Sequence, residues 1–321
     1  MKFVSIPDNG SSWRGRLPYS FTTESDQPQD VTVEILDATT KILLGSMRLY
    51  GVTEGVIDVA PYILPHVSMM PMETVRQADM RVSPSAIGVV VRLEDVESEA
   101  RVFFRSQFDY ESIGLLSSKI ELPVVQEGDT IRLTLFAQTR IDASVVLSGA
   151  KSLTVKCEGS TYGLPMELVI PTKAFGSLEK VSITVRYDSK NTVVYNYTVL
   201  PRCGSAQRLV WYNTNGGVES FLFDHAMHLG YSVDRADDCM CDDGVQRGDG
   251  RVRYRLCSGY ELQEVMERVA ELMLSPVVCR EVDGVCRVVD IESKEINYDS
   301  KGMLHTISLD LSEEWKGGKL W

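Results

Sequence analysis

Nothing narrows the fold of this chain more than a period of two. Through about residue 200, β-branched and aromatic residues alternate with polar ones in short runs between turn signals, as strands with one buried face do. Val31-Thr32-Val33-Glu34-Ile35-Leu36 alternates and residues 37–41 turn. Ile42-Leu43-Leu44 with Met47-Arg48-Leu49-Tyr50 returns, which predicts a hairpin. Residues 56–59 precede a stretch punctuated by Pro61, Pro65 and Pro71. Proline lacks the N–H that a central strand or helix interior needs, so residues 61–84 read as a long connection. Runs at 86–93 and 100–105 complete a first sheet module, with a boundary near residues 107–120.

Six further runs, at 129–136, 143–147, 153–157, 167–170, 181–187 and 193–199, repeat the same grammar at sandwich-like spacing. Their alternation predicts antiparallel strands with one wet face, because parallel strands covered on both faces read as continuous apolar runs. The expectation is an immunoglobulin-like sandwich in architecture, without the Cys–Trp–Cys spacing of antibody domains. After Pro201 the pattern changes. Residues 208–212, the turn Asn213-Thr214-Asn215-Gly216-Gly217 and residues 218–223 predict a hairpin. Ser258-Gly259-Tyr260-Glu261 matches a capping box, and Leu262, Val265, Met266, Val269, Leu272 and Met273 form one helical stripe that Ser275-Pro276 ends. Asp283-Gly284 joins two more strands, and residues 304–311 form a last one. The predicted fold is therefore mainly β. Two antiparallel Ig-like β-sandwich modules (1–115 and 116–203) precede a small α+β module (204–321) with one amphipathic helix.

Hydrophobic residues at 44% and charged residues at 24% of the 321 positions fit packed domains rather than disorder. The formal charge of −12 repels a phosphate backbone, so nucleic acid is not expected as a partner. Residues 205–321 hold 13 basic and 21 acidic side chains, so this third carries −8 of that charge. No run of 18 apolar residues crosses a membrane, and the N-terminal Met1-Lys2-Phe3-Val4-Ser5-Ile6 lacks the apolar core of a secretory signal. The expected location is the cytoplasm of the producing cell, with the seven cysteines as reduced thiols. The Asn196-Tyr197-Thr198 sequon then has no meaning.

Among residues that could carry chemistry, Asp237, Asp238, Asp242 and Asp243 gather near Cys239 and Cys241, with His225 and His228 upstream. The EF-hand order is absent, and Cys239-Met240-Cys241 is too tight for a structural zinc pair, so a solvated acidic loop is expected, with calcium as its alternative. His225 and His228 could share a helical turn, but without the Glu of a hydrolytic zinc motif they read as surface or edge residues. Arg247-Gly248-Asp249 overlaps a turn and reads as chance. Phosphate-loop, dinucleotide, nucleophile-elbow and kinase signatures are missing, so no catalytic residue and no cofactor are expected. Trp13, Trp211 and Trp315 with Tyr212 suit either a sugar-stacking platform or, as aromatic residues on strands more often do, the core. The flexible apolar Met69, Met70 and Met72, in the long connection, are the candidate interaction residues.

The C-terminal third adds a resemblance. Trp211-Tyr212-Asn213 with Gly216-Gly217 and Phe221-Leu222-Phe223, then Glu261, Glu264, Leu272, Leu274 and Ser275, then Asp283-Gly284 and Leu309-Asp310-Leu311, resemble tail or other virion structural proteins of phages and prophages of gut Bacteroidetes. That resemblance implies a β-rich, non-enzymatic assembly subunit that moves from cytoplasm to virion. Its partners would be other virion or assembly subunits, including further copies of the chain. The alternatives are a carbohydrate- or protein-binding sandwich module and a metal-dependent hydrolase.

Overall fold

The computed structural model describes residues 1–13, 15–71, 78–104, 114–118, 124–136, 142–148, 153–158, 165–174, 180–186, 192–235, 248–296, 298–301 and 303–314. The first sandwich stacks a sheet of β1 (Lys2–Ser5), β2 (Pro18–Thr22) and β5 (Glu54–Asp58) on one built from β3 (Gln29–Asp37), β4 (Leu43–Val52), β7 (Ala86–Leu93), β8 (Val96–Glu97) and β9 (Arg101–Phe104). Alternate residues point inward, and Tyr19, Phe21, Val33, Ile35, Val89 and Val91 are buried between the sheets. The connection after β5 is not structureless. It forms a short helix α1 (Ala60–Ile63), a 3-10 turn and a strand β6 (Asp79–Val82).

The second sandwich contains all six predicted strands. One sheet runs β10 (Gly114–Leu115), β12 (Thr130–Phe136), β15 (Met166–Pro171) and then β6. The other runs β11 (Val124–Gln126), β17 (Thr192–Leu200), β16 (Lys180–Arg186), β13 (Asp142–Ser148) and β14 (Leu153–Glu158). With β10, β12 and β15 taken as A, B and E, and β13, β16 and β17 as C, F and G, this is the immunoglobulin strand order. Two features go beyond the expected antiparallel strands. β11 pairs with β17 in parallel, and the D position beside β15 is filled by β6 from earlier in the chain, with Leu168 opposite Met80.

The third unit is one sheet of nine strands. Its path is β19 (Val218–Phe223), β18 (Gln207–Tyr212), β23 (Val278–Val282), β24 (Val285–Ile291), β26 (Leu304–Glu314), β21 (Gly248–Cys257) and β20 (Ala226–Arg235). β22 (Glu261–Leu262) and β25 (Tyr298–Lys301) also pair with β26. Helix α2 (Gln263–Ala270) covers one face, burying Met266 and Val269 against Leu209, Trp211 and Leu309. The expected stripe is present, but its expected start is not. Ser258 accepts the N–H of Ile307 at 2.9 Å and donates to Gly259 O, and Glu261 and Leu262 pair with β26, so Leu262 is an N-cap without a side-chain bond. A turn of 3-10 helix, Glu271–Leu274, carries the chain on to Ser275. Asp283 and Gly284 take positive φ values of 52° and 81°, as a two-residue hairpin turn requires.

One close approach fixes how the third unit seats on the second sandwich. A Cβ added at Gly217 would stand 2.3 Å from the carbonyl carbon of Leu116, a backbone atom that cannot swing aside. Gly217→Ala is expected to lower stability by about 2 kcal/mol or more through forced separation of these segments. Denaturant unfolding that shows an unchanged midpoint would refute that seating.

Candidate functional site

Strand alternation leaves polar residues on the outer face of β12 and β15, where water is the default neighbour. Here that face is covered. All seven residues of β12 and all six of β15 are buried, because the far face of β18, β19 and β23 lies against them. Polar groups so placed must find partners, and they find them across the junction. Arg132 donates to Glu281 at 2.8 Å with both side chains almost wholly out of water. Burial works most strongly against the Arg132 charge, but Glu281, Cys286 and Glu167 together outweigh it and hold the guanidinium above its ordinary pKa. The Tyr212 hydroxyl donates to Glu167 at 2.7 Å, and Ser83, just after β6, donates to the same oxygen at 3.4 Å. Burial, then the Glu167 charge, pushes the Tyr212 hydroxyl well above its usual range. Arg208 spans Asp129 at 2.8 Å and Ser220 at 2.8 Å.

At the far end of this seam, hydroxyls replace main-chain partners. Thr134 N–H donates to Ser117 Oγ, Ser117 Oγ donates to Val218 O, and Val218 N–H donates to Thr134 Oγ1, at 2.7–2.9 Å. Asn213 organises its own turn by accepting from Asn215 and Gly217, and its amide donates to Leu116 O and to Glu219. Glu219 also accepts the Ser118 N–H at 2.6 Å. Burial dominates over these donors and raises the Glu219 carboxyl to about 7. A cavity of about 30 Å³ lies among Ser118, Arg132, Tyr195, Arg208 and Glu219. It holds about one water-sized volume and no organic substrate.

The predicted site residues fall elsewhere. Met69 packs on Val210, Tyr212 and Val218 and also touches the first core, and Met70 places its sulfur 4.0 Å from that of Cys279. Two of the three interaction methionines thus contact the third unit of the same chain, and Met72 lies outside the described residues. So do Asp237, Asp238, Asp242, Asp243, Cys239, Cys241 and Trp315. Among the described residues no group of three or more His, Cys, Asp or Glu is placed to hold a metal. His225 and His228 share no helical turn and are both exposed, as expected of surface or edge residues. His228 lies on β20, opposite Arg255. Trp13, Trp211 and Tyr212 are core residues, so none of these three offers a sugar platform. Gly248 and Asp249 begin β21 rather than an exposed turn. No helix of the described chain is long and apolar enough to cross a membrane.

No family model matches this chain, and no curated protein matches it. Among solved structures, it is similar to a complex described as Dpr2 Ig1-Ig2 with DIP-Theta Ig1-Ig3, at 8% identity, with 98% of this chain and 89% of that one covered. The TM-score is 0.18, too low for the likeness to carry an inference. The fold stands on its own strand order: mainly β, antiparallel in nearly every pairing, with an Ig-like sandwich.

The seam makes two measurable statements. Arg132→Met strands the buried Glu281 carboxylate and is expected to cost about 3–5 kcal/mol in denaturant unfolding, while Arg132→Met with Glu281→Leu recovers most of that loss. A double variant as unstable as the single one would show the pair is not a unit. Glu219 ionises near pH 4.5 when unfolded and near pH 7 when folded. Its contribution is complete below about pH 4.5 and is lost as pH rises through 7, a change of about 3 kcal/mol. Glu219→Gln keeps an acceptor and removes that slope. Parallel stability-against-pH curves for the two proteins would contradict the assignment.

Proposed function

We propose that this chain is a non-enzymatic structural subunit acting through protein–protein contacts, as a tail or other virion component of a phage or prophage. The observation that carries this reading is the seam. Its buried charges are consumed in joining one unit to another, in pairs that an active site would leave open to substrate. A chain locked in this way presents its strand edges and loops in fixed relative positions, which repetitive assembly requires. The resemblance of the C-terminal third to virion structural proteins supplies the specific setting, with other virion subunits as partners and the cytoplasm as the place of synthesis. The Ig-like sandwich also suits a protein-binding module outside a virion, and the same experiment separates the two. Antibodies against the chain should decorate particles released from a strain that carries its gene, and deletion of the gene should leave particles incomplete. Complete particles that form without the chain would overturn the virion reading.

A further inference from the structure

Two sulfur side chains of the third unit and one from the connection after β5 gather at a partly exposed border of the seam. Cys279 of β23 is fully buried, and its thiol donates to the thioether of Met70 across 4.0 Å. Cys286 of β24 lies directly opposite Glu281, which makes it the diagonal neighbour of Cys279 on the same face of the hairpin. The two thiols interact, since burial first and Cys286 second push the Cys279 thiol up to about 12. Arg132 donates to Cys286 Sγ at 3.6 Å, a contact that favours the thiolate.

Spacing decides what such a cluster can do. A disulfide needs Cβ atoms about 3.8 Å apart, closer than the diagonal neighbours of a regular ladder, which stand about 7 Å apart or somewhat less. β23 and β24 keep an unbroken register over five pairs. A metal ion with bonds of about 2.3 Å to sulfur holds two sulfurs about 4 Å apart in a trigonal plane, and it bridges Cβ atoms too distant for a disulfide. Cys279 and Met70 already have that spacing. The thiol proton between them occupies the place of a monovalent cation.

Ligand type decides which ion. Zinc takes four ligands from thiolate, imidazole and carboxylate, and among the described residues no three of His, Cys, Asp or Glu are placed to share an ion. Calcium and magnesium take oxygen. Two thiolates and a thioether are soft donors, and soft sulfur selects copper(I). A monovalent ion on two thiolates leaves one net negative charge, which the Arg132 guanidinium meets at Cys286.

We infer that Cys279, Cys286 and Met70 form a three-sulfur site for a copper(I) ion. Binding exchanges the two thiol protons for the metal, with no change of oxidation state and no further reactant. Met70, 36% exposed, and the partly exposed Cys286 give the ion a path from solvent, and Cys279 closes the inner side. The occupied site ties the connection after β5 to the hairpin of β23 and β24, beside the pair of Arg132 and Glu281. This inference goes beyond the assembly reading and does not depend on it.

The test is copper(I) titration of the reduced full chain without oxygen, in competition with a chromogenic copper(I) chelator. Cys239→Ser and Cys241→Ser are present throughout, because two cysteines so close in sequence offer a second thiolate pair. In that background one copper(I) ion per chain should resist the chelator and raise the melting temperature. Cys286→Ser should weaken binding about 100-fold or more, and the volume-conserving Met70→Leu about tenfold, with metal-free melting curves close to that of the background. X-ray absorption at the copper edge should show three sulfur neighbours at about 2.3 Å. A background protein that loses all copper to the chelator, full affinity in either variant, or nitrogen or oxygen in place of a sulfur neighbour overturns the inference. The virion reading is judged separately, by the labelling of particles.

Discussion

The burial of β12 on both faces is the constraint on which the rest of the molecule depends. One face serves the core of its own sandwich through Ile131, Leu133 and Leu135, and the other presents Arg132 and Thr134 to the third unit. An apolar junction would hold two bodies together and let them slide, since apolar contact has no direction. A junction of hydrogen bonds and ion pairs has few acceptable arrangements, because each misplacement strands a buried polar group. The net stabilisation from Arg132 and Glu281 is small beside the cost of separating them, so the pair contributes orientation more than strength.

The first sandwich is drawn into the same arrangement by chain topology. β6 leaves the first unit to become the outer strand next to β15, so the second sandwich lacks its D strand without the chain that precedes it. Ser83, directly after β6, brings a hydroxyl to Glu167, which also receives Tyr212 from the third unit. All three units thus meet at one carboxylate. The adjoining Met69 fills the apolar angle beside Tyr212, a use suited to an unbranched and adaptable side chain.

What the sequence disclosed followed the reach of a period. The six strands of the second sandwich, the hairpin of β3 and β4 and the apolar stripe of α2 are local patterns, and each appears. The capping box failed because Ser258 had a better partner in Ile307, a residue far along the chain. β20 was legible in principle, since Met227, Leu229, Tyr231 and Val233 alternate with polar residues or glycine, and Val252, Tyr254 and Leu256 do so in β21. His225, His228 and the acidic residues that follow suggest metal chemistry in the same segment, and that suggestion competes with the strand signal. The seam was not legible. Arg132, Thr134 and Glu167 occupy alternate positions that water would satisfy equally well, and only the placement of a distant sheet decides that they are interior.

That distinction bears on where contact with other molecules can arise. Residues with adaptable chemistry in a long connection look available when only the sequence is read; here Met69 packs within the chain, while Met70 reaches Cys279 and stays partly exposed. A polar seam that fixes the units also fixes which edges remain outward, and the edge strands are unequal. Bulges, brevity or coverage guard most of them, while β20 combines length, regular pairing and apolar side chains at the rim of a continuous sheet. The rigidity supplied by Arg132, Glu281, Glu167 and Tyr212 holds the outward edges in a constant direction relative to both sandwiches.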